Sequence, residues 1–133
     1  MEKYCMMQEI NKDSLSHSSI ALVEEIINVI FGWINTKSEF VHLSDLERNR
    51  QLGILTTNIS SFVEISTLAA KYAKVTNPEL KDSHISLLFI MKAINNAFLK
   101  SDWDALEELI KYELKDNLTQ WKINLIPQLK KNS

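Results

Sequence analysis

The chain contains few glycines and prolines, the residues that interrupt helices, and almost no cysteine. It contains 2 glycines, 2 prolines and 1 cysteine in 133 residues. With Cys5 as its single thiol, the chain has no second cysteine for an internal disulfide, and nothing indicates an oxidising compartment. We therefore expect a cytoplasmic protein. Because only Gly32, Gly53, Pro78 and Pro127 are available to break helices, the composition predicts long helices with few interruptions.

An excess of charge of one sign is also missing. The 15 Lys and Arg residues nearly balance the 17 Asp and Glu residues, which gives a formal net charge of -2. This charge supplies no general electrostatic reason to bind a polyanion, so nucleic acid is disfavoured as a partner. No apolar run approaches the roughly 18 residues of a membrane span, and the start lacks the pattern of a signal peptide. We expect neither a membrane span nor export by that route.

Motifs for catalysis or cofactor binding are sparse. Two glycines cannot form a phosphate-cradling loop, and no Gly-x-Ser-x-Gly motif is present. The single Glu-x-x-His spacing, Glu39 to His42, falls in a predicted connection between helices, not in a bundle interior. His84 lies on an apolar helical face, where a core histidine is favoured over a metal ligand or a pH sensor. We expect no enzymatic activity, no metal and no cofactor.

Apolar residues make up 45% of the chain and recur at helical spacing. The pattern predicts helices near residues 16–35, 44–75, 78–100 and 102–126, after an N-terminal arm of residues 1–15. Residues 16–133 would form a single domain. The capping box Ser44-Asp45-Leu46-Glu47 marks the start of the second helix, and Pro78 marks the start of the third. Because short connections place consecutive helices antiparallel, the predicted fold is an all-α, up-and-down antiparallel four-helix bundle.

Helical periodicity assigns a core face to each predicted helix. The face of the second helix includes Ile59 and Val63, and the face of the third includes Leu88 and Met91. The last helix carries one stripe at nearly constant spacing: Trp103, Leu106, Ile110, Leu114, Leu118, Trp121 and Leu125. Gly32 and Gly53 interrupt helical patterns at a cost of roughly 1 kcal/mol each, which close helix approach or a local bend would explain.

A second set of apolar side chains lies off these core faces. A monomer normally exposes only scattered hydrophobic residues, so the surplus predicts a surface that something covers. The N-terminal arm, a second copy of the chain and an amphipathic client segment are the possible covers. Alternatively, the rotation of the helices in the bundle buries the surplus. The predicted partner-binding residues are Ile65, Leu68, Tyr72, Ile85, Phe89, Ile123 and Ile126.

Local features give one resemblance. Tyr4 in the arm, the Leu15-Ser16 lead into the first helix and the Lys100-Ser101-Asp102-Trp103 turn accompany a layout of short arm, tight turns and long last helix. This layout is similar to the flagellar export chaperones of the flagellin-binding type and their co-chaperones. The Asp-Gly-Ala of that family is replaced here by Phe31-Gly32-Trp33. The resemblance implies a small cytoplasmic bundle that holds an unfolded export substrate on apolar grooves.

The sequence as a whole is typical of a non-catalytic protein-binding module. We interpret it as an adaptor or a chaperone-like protein that uses apolar grooves on a helical bundle to hold a helical or unfolded client. The alternative is a homodimeric structural protein in which the surplus apolar faces form the dimer interface.

Overall fold

The computed structural model describes residues 12–37, 39–75 and 78–132, and within these ranges it contains helices and no strand. Helix α1 is Lys12–Lys37, α2 is Asp45–Tyr72 and α3 is Pro78–Leu99. Helix α4 runs through residues 103–124 as Trp103–Glu108, a π-helical stretch Leu109–Leu114, and Lys115–Asn124. A short helix α5, Ile126–Asn132, follows it. The predicted all-α four-helix bundle is confirmed.

The helix boundaries agree with the prediction to within three residues except at the start of α1. Helix α1 begins at Lys12, so residues 12–15 of the predicted arm are helical, and residues 1–11 lie outside the described residues. Pro127, one of the four residues expected to break helices, lies just after the end of α4 at Asn124. Pro127 is the second residue of α5, where the first-turn N–H groups have no intrahelical acceptor and a missing N–H costs nothing.

Side-chain hydrogen bonds define the start of α2 and connect it to α1. Ser44 caps α2 by accepting a hydrogen bond from the backbone N–H of Glu47 at 3.2 Å. The Glu47 carboxylate accepts from Gln51 Nε2 at 2.8 Å, and Gln51 Oε1 accepts from Trp33 Nε1 at 2.9 Å. Because Gln51 and Trp33 are buried, this bond fixes the relative position of α1 and α2 in a low-dielectric interior.

The helices do not pack equally closely around the bundle. Helix α1 packs against α2, α3 packs against α4, and α1 contacts α4 and α5. Lys130 of α5 forms an ion pair with Glu24 of α1 at 2.8 Å. Helices α2 and α3 approach each other much less closely than these pairs do. The bundle is therefore closed on three sides, and the seam between α2 and α3 is its open side.

The π-helical stretch of α4 follows from the spacing of its core residues. Leu106, Ile110, Leu114 and Leu118 are all fully buried, although each is four residues from the next. In a regular α-helix each such step overshoots a full turn by about 40°, so the stripe would drift away from the core. A wider π turn returns the stripe toward the same face. The three successive four-residue steps from Leu106 to Leu118 thus account for the π stretch.

Gly32 and Gly53 have no packing reason to be glycine. A Cβ atom built at either position meets no atom within 4 Å, and neither residue has a positive φ. Close helix approach, one of the two explanations expected for these glycines, is therefore wrong.

Candidate functional site

The seam between α2 and α3 forms an apolar groove with a cavity volume of about 340 Å³. Its lining residues are Thr56, Ile59, Ser60, Val63 and Glu64 of α2 with Leu88 and Met91 of α3. Most of the exposed groove surface belongs to apolar atoms. Its volume falls in the range of small ligand pockets, which is about 300 to 1,000 Å³. The groove is thus large enough to receive apolar side chains of another molecule.

Side-chain size explains why the groove stays open. Thr56, Ser60 and Val63 recur at helical spacing on the α2 wall and are too short to fill the space up to α3. On the α3 wall, Leu88 remains 57% exposed. Burying a leucine side chain stabilises a protein by about 1.5–3 kcal/mol relative to leaving it exposed, so this surface gains free energy if it is covered.

Trp121 of α4 lies beneath the seam, between α2 and α3. Its ring centroid is 5.1 Å from that of Phe62 on α2 and 6.1 Å from that of His84 on α3. Phe62 directly precedes Val63 of the groove, and His84 is one helical turn before Leu88. Trp121 is not part of the groove lining, but it contacts both helices within about a turn of it, and we refer to Trp121 with Phe62 and His84 as the floor of the seam.

The interior near this floor contains polar atoms that lack a hydrogen-bond partner. Among the described residues these include Trp121 Nε1, Asn117 Oδ1 and Ser66 Oγ, all fully buried. The other amide atom of Asn117, Nδ2, donates to the Ser83 carbonyl at 3.0 Å. A buried polar group without a partner costs roughly 1–3 kcal/mol, and native proteins contain few of them. Trp121 Nε1 and Asn117 Oδ1 are therefore unusual groups for the interior of a bundle.

The predicted partner-binding residues do not form one surface. Phe89, Ile123, Ile85 and Leu68 are exposed, at 68%, 58%, 44% and 37% respectively. Ile85 and Phe89 are on α3 beside the groove, whereas Ile123 is on α4, two residues from Trp121 and so on nearly the opposite side of that helix.

The other three predicted residues are partly or fully covered. Ile65 and Tyr72 are half-buried, and Ile65 packs against the core. Ile126 is only 8% exposed, so the expectation that it lies on a surplus surface is wrong. It is the first residue of α5, which packs onto α1 and buries Ile126 together with Leu129.

Sequence reasoning missed the groove because it placed the groove residues in the core. Ile59, Val63, Leu88 and Met91 do lie on the predicted core faces, but a helical wheel gives only directions and not the distance between two helices. The available signal was the pairing of small residues, Thr56 and Ser60, with large ones on the next helix.

A second cavity, of about 310 Å³, lies between the end of α1 and the π stretch of α4. It is more polar and is lined by Ile34, Asn35, Thr36, Glu39, Lys111, Tyr112 and Lys115. The Lys111 ammonium nitrogen lies 3.7 Å from a Glu39 carboxylate oxygen, and the Lys115 ammonium group donates a hydrogen bond to Asn35 Oδ1 at 3.4 Å. The negative C-terminal end of α1 accounts for these two lysines, since cations are favourable there.

Metal and membrane features are limited in the described part of the chain. No group of three or more His, Cys, Asp or Glu side chains within it is placed to hold a metal ion. Helix α2, with a mean hydropathy of 1.2 in its most apolar window, is the one described helix long and apolar enough to cross a membrane. Core helices of bundles meet the same criterion, so the composition of α2 is weak evidence for a span.

Comparisons of the chain with protein families, with curated proteins and with solved structures find no match.

Proposed function

We propose that this protein is a non-catalytic binding module, an adaptor or chaperone, that holds an amphipathic helical segment of a client protein in the groove between α2 and α3. The observation that carries the proposal is the apolar groove at the seam between α2 and α3, the neighbouring pair of described helices that packs least closely. Binding of an amphipathic helix in an apolar groove is a recurrent mode of protein recognition.

The surface beside the groove supports the same proposal. Ile85, Leu88 and Phe89 of α3 are all more than 40% exposed and lie within about one helical turn of each other. A contiguous apolar patch next to a groove is typical of a protein-interaction site, whereas single exposed hydrophobic residues are not. A helix docked between α2 and α3 would cover both the groove and part of this ridge.

The sequence layout resembles that of flagellar export chaperones, and the resemblance implies that this protein holds an export substrate on its apolar groove. A cytoplasmic location belongs to this proposal, because a chaperone of that kind meets its client before export.

A titration with a synthetic amphipathic helix tests the proposal. The probe is a fluorescein-labelled peptide of about 20 residues with leucines on one face and Lys and Glu on the other, long enough to form a helix when bound. We expect saturable binding by fluorescence anisotropy. Leu88→Asp should weaken it at least about tenfold, because the carboxylate must lose its hydration when the groove is covered.

Leu46→Asp is the matched control. Leu46 is 81% exposed and lies at the start of α2, about 15 Å along the helix from Thr56. Helicity by circular dichroism must be unchanged in both variants. Equal binding by the two variants, or no binding by the unmodified protein, would contradict the proposal. A stable dimer by sedimentation that Leu88→Asp dissociates would assign the groove to a second copy instead.

A further inference from the structure

The two unpartnered polar atoms of α4 form a donor and an acceptor on the same side of the helix. Trp121 and Asn117 are four residues apart, so their side chains are neighbours one turn apart. Trp121 Nε1 is a donor only, and Asn117 Oδ1 is an acceptor only. Neither has a hydrogen-bond partner among the described residues, although both side chains are more than 90% buried.

The position of these atoms relates them to the groove. Trp121 contacts Phe62 of α2 and His84 of α3, which are the residues that meet its ring from the two sides of the seam. Helices α2 and α3 are the neighbouring pair that packs least closely, so this seam parts at lower cost than any other. The unsatisfied donor and acceptor therefore belong to side chains that contact the helices on either side of this seam.

A primary amide is the side-chain group that satisfies both atoms together. Its carbonyl oxygen accepts from the Trp121 indole N–H, and its NH2 group donates to Asn117 Oδ1. A leucine or methionine side chain entering the same place would leave both atoms unpaired. Sites built around buried hydrogen-bonding groups discriminate strongly against ligands that lack the matching group.

We propose that the client helix carries a glutamine or asparagine within its apolar stripe and inserts that side chain between Phe62 and His84, where it pairs with Trp121 and Asn117. This inference rests on the proposed function, since it names the chemistry of the client that binds in the same groove. An amide in an apolar stripe is normally unfavourable because it loses hydration on burial. In this complex the two new hydrogen bonds offset that loss, and they turn a general apolar groove into a selective one.

Two peptides that differ at one position test the inference. Both are amphipathic helices of about 20 residues with a leucine stripe, and the central stripe position is Gln in one and Met, an unbranched side chain of similar length, in the other. We expect the Gln peptide to bind the unmodified protein about tenfold more tightly, the ratio that two ordinary hydrogen bonds supply.

Two variants locate the source of this preference. In Trp121→Phe the ring remains and the N–H is lost, so the preference should fall to about threefold or less, because one bond remains. In the matched control Trp103→Phe, which changes a half-buried tryptophan at the other end of α4, the tenfold preference should persist. An unchanged preference in Trp121→Phe would overturn the assignment to the indole.

An NMR measurement tests the same inference without any substitution of Trp121. In a 1H–15N spectrum the indole N–H resonance of Trp121 should move downfield when the Gln peptide binds and should not do so with the Met peptide. Equal affinity for the two peptides with no indole shift would overturn this inference and leave the proposed function standing. Failure of both peptides to bind would instead contradict the proposed function.

Discussion

The guanidinium carbon of Arg48 lies 4.2 Å from the centroid of the Trp103 ring and so connects the start of α2 to the start of α4. Arg48 also donates from Nε to the Phe40 carbonyl at 2.8 Å and from Nη2 to the Val41 carbonyl at 2.7 Å. Its side chain is only 15% exposed. The backbone N–H of Phe40 donates to a Glu107 carboxylate oxygen at 2.9 Å. The connection between α1 and α2 is therefore fixed by side chains of α2 and α4.

Removing Arg48 should destabilise the bundle. We expect Arg48→Ala to lower the free energy of unfolding by about 2–4 kcal/mol, because charge-assisted hydrogen bonds and a cation–π contact are lost together. Arg48→Lys should recover little of this, since an ammonium group cannot reproduce the forked geometry. Urea unfolding measures the free energy of unfolding of both variants.

Arg50 is the control for Arg48. Its side chain is 72% exposed, and its Nη1 atom lies 3.8 Å from a Glu47 carboxylate oxygen. Arg50→Ala should therefore change the free energy of unfolding by less than about 0.5 kcal/mol. Similar losses for Arg48→Ala and Arg50→Ala would contradict the account of this connection.

Replacing Gly53 should stabilise the fold. Gly53 is exposed within α2, and a Cβ atom there meets nothing within 4 Å. Gly53→Ala should therefore raise the free energy of unfolding by about 1 kcal/mol through helix propensity. The thermal midpoint of the variant checks the sign. A lower midpoint would mean that a neighbouring group approaches this backbone more closely than the structure shows.

Replacing Lys74 with glycine should stabilise the fold. It has φ 56°, and after α2 the backbone N–H of Val75 donates to the Ala70 carbonyl at 2.9 Å. This is the left-handed helix ending that favours glycine, because a Cβ atom costs about 1–2 kcal/mol in that conformation. We expect Lys74→Gly to raise the denaturant midpoint, and Lys71→Gly, inside the last turn, to lower it. A gain of stability in both variants would contradict the explanation by backbone conformation.

Two aspartate substitutions separate exposed from buried positions of the predicted interface. Phe89 is 68% exposed, so Phe89→Asp should keep full helicity by circular dichroism. Ile126 is 8% exposed, and Ile126→Asp should lose stability by several kcal/mol because it buries an unpaired carboxylate. If Ile126→Asp were as stable as the unmodified protein, α5 would not pack onto α1 as described.

The fold was predictable because each helix is specified by local features. The Ser44 cap, Pro78 at the first position of α3 and the stripe from Leu106 to Leu118 are all readable from the chain and all lie where the prediction places them. Even the π stretch has a local cause in the four-residue spacing of that stripe. These features act within one helix, so no knowledge of the neighbouring helices is needed.

The groove was not predictable in the same way. Leu88 was assigned to a core face, and its 57% exposure results from the distance between α2 and α3, which depends on the packing of all four helices. Ile126 was assigned to a surplus surface, and its burial results from α5, a helix that the sequence reasoning did not separate from α4. Both errors concern relations between elements and not the elements themselves.

The methyl resonance of Met91 gives the most direct test of binding in the groove. The chain contains 4 methionines, of which Met91 lines the groove and the others, Met1, Met6 and Met7, lie near the N-terminus. In protein labelled with 13C at the methionine methyl groups, the Met91 resonance is assigned from its loss in Met91→Leu. Titration with the amphipathic peptide should shift it saturably, with the same dissociation constant as the anisotropy measurement, and Leu88→Asp should move the midpoint of this titration to at least about tenfold higher peptide concentration. A Met91 resonance that stays in place while the peptide is bound would contradict the account.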